Sequence, residues 1–249
     1  MDKPNSIGKV LQILQFIARE PYYFSIAEIS KELGINRTTV YRILTELEEA
    51  KFVNKHNVNR KYTIGPTMFH IGAKYMYRSK SFEDIKGVVE RLALETGENV
   101  GYTIIDHGKI INIYESEVSM PVRITYAQGT YFPINAGTYG KTIMAHYKPL
   151  DELERLVRTT KLEKRTPYTI TDPDILLEEY KKIREQGYGI SNEENLLGAI
   201  GIGAPIFDID GNIHGCVGVA AVKATISECD IERFIKLMKK GAEEISKYI

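Results

Sequence analysis

The segment from Phe24 to Leu44 limits the fold more than any other part of the chain, because it carries its own start, stop and restart signals. Ser25 and Glu28 have the spacing of a capping box ahead of an apolar run, which starts a helix. Gly34 suits the left-handed residue that ends it, and Asn36 can cap a second helix. In that second helix Val40, Ile43, Leu44 and Leu47 recur at helical spacing and are predicted to face a core. Arg37, Thr38, Thr39, Tyr41 and Arg42 are then left for another partner. A helix with such donors at its exposed N-terminal end is what a helix-turn-helix inserts into a major groove. Phe52-Val-Asn-Lys and Lys61-Tyr-Thr-Ile flank His56-Asn-Val-Asn-Arg60, a hairpin with a basic, asparagine-rich tip. Such a wing can follow a phosphate backbone or enter a minor groove. Arg37, Thr38, Thr39, Tyr41 and Arg42 are therefore the expected base and nearby phosphate contacts. Ser25, Asn59, Arg60 and Lys61 are the expected backbone contacts.

Charge supports the division of labour. The 249-residue chain has a formal net charge of zero, yet residues 1–78 hold 12 Lys and Arg against 7 Asp and Glu, and the remainder is acidic to the same extent. A basic front part on an acidic remainder suits nucleic-acid contact by the front part alone. No apolar run is long enough to cross a bilayer, and the first residues lack the basic-then-apolar order of a signal peptide, so a cytoplasmic protein with no membrane partner is expected. Cys216 and Cys229 have no ligand-like or disulfide spacing, nor do His56, His70, His107, His146 and His214, so neither a metal nor a cofactor is expected.

The remaining pattern predicts an α+β chain. A first helix is expected over residues 6–19, with Ile7, Val10, Leu11, Leu14 and Ile17 on its apolar face. After Gly65-Pro66 another helix is expected from Thr67 to Arg78, suited to link two domains. Past Phe82 come a helix to Thr96, strands at 100–105 and 110–114 around the Asp106–Lys109 turn, and a further short strand from Val122 to Tyr126. Helices are expected at 139–145, 150–157 and 173–186, a second hairpin from strands 200–207 and 213–222, and a last helix opened by Ser227 and Asp230. Strands returning by short turns imply an antiparallel sheet.

A set of short landmarks follows the winged motif: Arg123, Gly129, Pro133-Ile-Asn-Ala136, Gly140-Lys141, Tyr168-Thr-Ile-Thr171, Ile183 to Tyr188, Glu193-Glu194, Gly198 and Ala204 to Asp208. In this order the chain resembles the IclR family of transcriptional regulators over essentially its whole length. The resemblance implies a winged helix-turn-helix domain (residues 1–65), a linker helix (66–79) and a GAF/PAS-like effector domain with an antiparallel sheet (80–249). It further implies dimers or tetramers on pseudo-palindromic double-stranded operators, controlled by a small organic acid. Carried over by position, the effector would meet backbone N–H groups of Thr138 and Tyr139, with Ser191, Gly201, Gly218 and Ala220 as the opposite wall. Only Ser191 among those four is polar, so a roomier pocket favouring a larger or more apolar acid, aromatic acids included, is expected.

Two rivals are legible. Asn135 to Thr142 is one glycine short of a phosphate-binding loop, which would mean a nucleotide-binding enzyme. In the family reading Lys141 instead lies on a helix surface, and Glu193-Glu194, as adjacent carboxylates on a turn, are expected to be solvated. The basic front domain could also serve a DNA binder that needs no ligand.

Overall fold

The computed structural model describes residues 4–76, 80–118 and 122–249. The chain divides into two compact units, residues 1–78 and 79–249.

The first unit contains α1 (Ser6–Ile17), α2 (Ile26–Leu33), α3 (Arg37–Glu49), the hairpin β1 (Val53–Lys55) and β2 (Tyr62–Ile64), and α4 (Pro66–Met76). The local signals act as expected. Ser25 and Glu28 form the reciprocal capping box, Gly34 ends α2 at φ 64°, and Asn36 accepts from Thr38 N. Val40, Ile43 and Leu44 are buried with Ile13, Phe16, Ile17, Ile29, Val53 and Tyr62. The inward face of α1 matches the expected one at Val10, Leu14 and Ile17 and departs from it at Ile7 and Leu11. Ile13 and Phe16 are buried, whereas Ile7 and Leu11 are 70% and 54% exposed. The turn that begins at cis-Pro21 brings Phe24 onto Phe16, with ring centroids 4.5 Å apart, and this selects the 13/16/17 stripe. Helix α4 is described only to Met76, so the last expected residues of that helix lie outside the described ones.

The second unit holds α5 (Lys80–Thr96), β3 (Asn99–Asp106), β4 (Lys109–Ser116), β5 (Tyr131–Phe132), α6 (Thr138–Ala145), α7 (Leu150–Thr159), α8 (Pro173–Gln186), β6 (Gly189–Asn192), β7 (Ala199–Phe207), β8 (Ile213–Val222) and α9 (Glu228–Ile245). Six antiparallel strands lie in the order β5-β4-β3-β8-β7-β6. Helices α5 and α9 pack together against the sheet, while α6 packs on β6, β7 and β8 with α8 behind it. The sequence pattern predicts neither edge strand, β5 paired to β4 at Tyr131–Phe132 nor β6 paired to β7 from Gly189 to Asn192.

The expected strand at Val122–Tyr126 does not form. Its backbone is held by side chains instead of a neighbouring strand. Asn99 Nδ2 donates to Ile124 O at 2.8 Å, Asn112 Nδ2 to Tyr126 O at 2.8 Å, and Tyr126 N donates to Glu115 at 3.4 Å. Buried polar side chains of β3 and β4 thus satisfy groups that a ladder would otherwise pair.

Candidate DNA interface and effector cavity

On α3, Arg37, Thr38, Tyr41 and Arg42 are exposed and Thr39 is half-buried, so the expected contact residues form one accessible surface above the buried stripe. The wing closes through His56 N to Lys61 O at 2.8 Å and Arg60 N to His56 O at 2.9 Å. Arg60 adopts φ 53° at the tip and is exposed. Asn59 and Lys61 also have structural work: Asn59 Oδ1 accepts from Lys61 N at 3.0 Å, and Lys61 Nζ reaches Glu28 at 3.2 Å. The Ser25 hydroxyl accepts from Glu28 N at 3.3 Å. The Ser25 N–H, with Lys61 in support, holds the Glu28 carboxyl below its usual range. The wing is thereby fastened to the start of α2.

In the second unit the chain enters α6 through Gly137, at φ 84°, with no side-chain cap. The first turn of a helix left in this way favours a negative group. Thr138, Tyr139, Ser191, Gly201 and Ala220 line a cavity there together with Tyr126, Phe132, Asn195 and Leu196. Gly218 does not open onto it. A Cβ on Gly218 would stand 2.8 Å from Tyr139 Cε1, and one on Gly201 3.1 Å from Thr138 Cγ2. These glycines therefore serve the close approach of α6 to the sheet, which corrects the expectation of extra room. The cavity measures about 20 Å³, space for about one water.

Aromatic rings take up the volume. Tyr126 stands edge-on to Phe132 at 5.1 Å and to Tyr139 at 6.2 Å, and Phe132 lies 4.8 Å from Tyr139. A polar chain closes the mouth: Arg165 Nη1 donates to Asn195 Oδ1 at 2.7 Å, and Asn195 Nδ2 to Tyr126 Oη at 3.2 Å. Thr138 Oγ1 donates to Gly189 O at 3.0 Å and Tyr139 Oη to Gly218 O at 2.9 Å, which fixes both side chains on the sheet. Burial raises the Tyr139 hydroxyl well above the ordinary range, and that of Tyr126 to a lesser degree. Both stay neutral at physiological pH, Tyr139 donating to Gly218 O and Tyr126 accepting from Asn195.

Sequence reasoning missed Tyr126, Phe132, Asn195 and Leu196. The sequence pattern puts Tyr126 at the end of a strand, and Asn195 and Leu196 fall inside the Glu193 to Gly198 landmark with no signal of their own.

Lys141 is not on a surface. It is fully buried, and its ammonium donates to Glu194 at 2.6 Å, Glu179 at 2.7 Å and Ile190 O at 2.9 Å. Glu194 is likewise buried rather than solvated, and burial lifts its carboxyl above the usual range despite the ammonium. Glu193 pairs with Lys223 and accepts from Gly198 N at 2.8 Å. Asn135 donates to Ile170 O at 2.7 Å and Glu163 O at 3.2 Å. With the lysine and asparagine side chains both committed, the 135–142 loop lacks the free lysine that a phosphate-binding loop directs at a phosphate chain.

Behind Tyr139 lies a second buried carboxylate. Glu115 is 7% exposed and accepts from Asn112 Nδ2 at 3.2 Å and Tyr126 N at 3.4 Å. A Cβ on Gly101 would collide with both the Glu115 carboxylate and the Tyr139 hydroxyl, so the two groups meet over that glycine. Burial pushes the Glu115 carboxyl up to about 7.

Residues 73–247 match the family model described as bacterial transcriptional regulator IclR C-terminal, and residues 6–56 match the IclR helix-turn-helix domain. The chain is 30% identical over 241 residues to the HTH-type transcriptional regulator BhcR of Paracoccus denitrificans (strain Pd 1222), covering 97% of this chain and 86% of that protein. It superposes on the IclR transcriptional regulator crystal structure from Alicyclobacillus acidocaldarius with a TM-score of 0.88, at 25% identity over 99% of both chains. An IclR homologue from Microbacterium hydrocarbonoxydans, complexed with 4-hydroxybenzoate, has the same fold: its TM-score is 0.79 at 16% identity, over 98% of both chains.

Proposed function

Since the chain belongs to the IclR family of transcriptional regulators and its first unit is a DNA-binding helix-turn-helix, we propose that a small organic acid, seated at the first turn of α6, controls its grip on an operator. The observation that carries the effector half of this reading is the cavity at that uncapped turn, walled by aromatic rings and by Ser191 and Asn195. The binding of 4-hydroxybenzoate by a relative of the same fold supports an aromatic acid as a candidate. A ligand larger than one water enters only if Tyr126, Leu196 and the Arg165–Asn195–Tyr126 chain move aside. It therefore binds an open arrangement in preference to the closed one, and that difference in affinity is the whole of its leverage.

Dimers or tetramers belong to the same proposal, with residues 66–79 as the connector between residues 1–65 and the effector domain from residue 80. Ile7 and Leu11 of α1 and Phe69, Ile71 and Tyr75 of α4 are each at least half exposed in the single chain, which favours covering by a second copy. A dimer of this kind reads half-sites about 10 base pairs apart, centre to centre, in a pseudo-palindromic operator. A regulator of this kind acts in the cytoplasm, with the chromosome.

Footprinting on DNA flanking its own gene, with and without a panel of carboxylic acids that includes 4-hydroxybenzoate, tests the proposal. Protection that no acid changes would favour the ligand-independent reading. In the same assay Arg42→Ala is expected to lose about 1–3 kcal/mol and to relax preference at one base step. Arg60→Ala is expected to weaken all sequences alike and to lower the salt slope by about one. An unchanged footprint for Arg42→Ala would remove that residue from the reading surface.

A further inference from the structure

The far end of α6 has a feature that the effector reading does not use. After Ala145 the chain passes through His146, Tyr147, Lys148 and cis-Pro149 into α7, and this turn walls an open cleft of about 780 Å³. That volume lies within the range of small-molecule clefts, roughly 300–1,000 Å³. Ala145, Pro149, Leu150 and Phe207 give it a carbon floor, while Arg184 and Lys148 give it a positive rim.

The rim is organised. Arg184 is half-buried and donates Nε to Ala145 O at 2.7 Å, which holds the guanidinium against the last turn of α6. Among the described residues, neither Arg184 nor Lys148 has a carboxylate within ion-pair distance. His146 is held in the same wall by Nδ1–H to Thr142 O at 3.0 Å, with its ring edge-on to Phe207 at 5.3 Å. Its proton affinity is lowered first by burial and then by the charges of Arg184 and Lys148, so both cations act on one imidazole. A fixed guanidinium whose outer nitrogens are uncommitted suits a two-pronged carboxylate, and an apolar floor beside it suits a hydrocarbon body.

We propose that this cleft is a second ligand site, distinct from the effector cavity, which binds a monocarboxylate with an aliphatic or aromatic body. Octanoate is a suitable probe, with octanamide as its uncharged counterpart, in calorimetric titration of the full chain. Wild type and Leu196→Ala, a half-exposed loop position that lines the effector cavity and not the cleft, are expected to bind octanoate alike. Arg184→Gln is expected to weaken binding about tenfold. Because Arg184 also caps α6, Lys148→Gln serves as the independent variant: its side chain is exposed, and a several-fold loss is expected there too. Four results would each overturn the site: no saturable binding at millimolar octanoate, octanamide binding as tightly, affinity lost in Leu196→Ala but kept in Lys148→Gln, or Lys148→Gln changing the sedimentation mass. The last would mean that a second copy of the chain covers this face.

Discussion

Lys141→Ala is expected to lower the unfolding free energy of the second unit by about 3–5 kcal/mol, the cost of removing one partner from a buried ion pair. The ammonium is fully buried and supplies all three of its donors, to Glu179, Glu194 and Ile190 O. Truncation leaves Glu194 charged in a space that water reaches poorly. Pairing Lys141→Ala with Glu194→Gln removes the two most buried charges and leaves the more exposed Glu179, so part of the loss should return. Urea denaturation of the single and double variants measures this as a cycle. A single-variant loss below about 1 kcal/mol would place Lys141 among ordinary surface-like substitutions and contradict the reading.

The second large effect is a dependence on pH. Burial, only partly offset by Asn112 and Tyr126 N–H and reinforced by Glu117, lifts the Glu115 carboxyl from 4.5 to about 7. Between those values the folded chain holds a proton there that the unfolded chain has released, so folding gains from acid and loses from base. The contribution is fully present below 4.5 and is lost as pH rises through 7. At about 1.4 kcal/mol per pH unit, the total change is about 3 kcal/mol. Burial pushes Glu98 and Glu194 the same way, whereas hydrogen bonding from Ser227 draws Asp230 down to about 2, so the raw profile mixes signs. Subtracting the Glu115→Gln profile from the wild-type profile isolates one group. Stability curves that stay parallel from pH 4 to pH 8 would mean Glu115 is not desolvated in solution.

What could be read beforehand was whatever is decided locally. The boxes at Ser25 and Ser227, the αL stop at Gly34 and the Asp172-Pro173 start each need only three or four neighbouring residues, and each stands where expected. The exposed face of α3 follows from one helical period. The misses were settled by distant partners. Periodicity offers two apolar stripes on α1, and Phe24 decides between them. Residues 122–126 are composed like a strand, but Asn99 and Asn112 take the backbone groups a strand would have paired. A lysine in a short helix reads as solvated, because its two acids lie 38 and 53 residues further on. The cavity suffered similarly: small residues at 201 and 218 suggest space until the side chains of α6 are set against them.

The threefold grip of Lys141 has a mechanical corollary. It joins the middle of α6 to α8, to the edge strand β6 and, through Glu194, to the neighbour of Asn195 that closes the cavity mouth. A ligand that pries Asn195 loose therefore pulls against the whole rod rather than one loop. Under the proposed effector reading, opening the cavity mouth would therefore strain α6, α8 and β6 together.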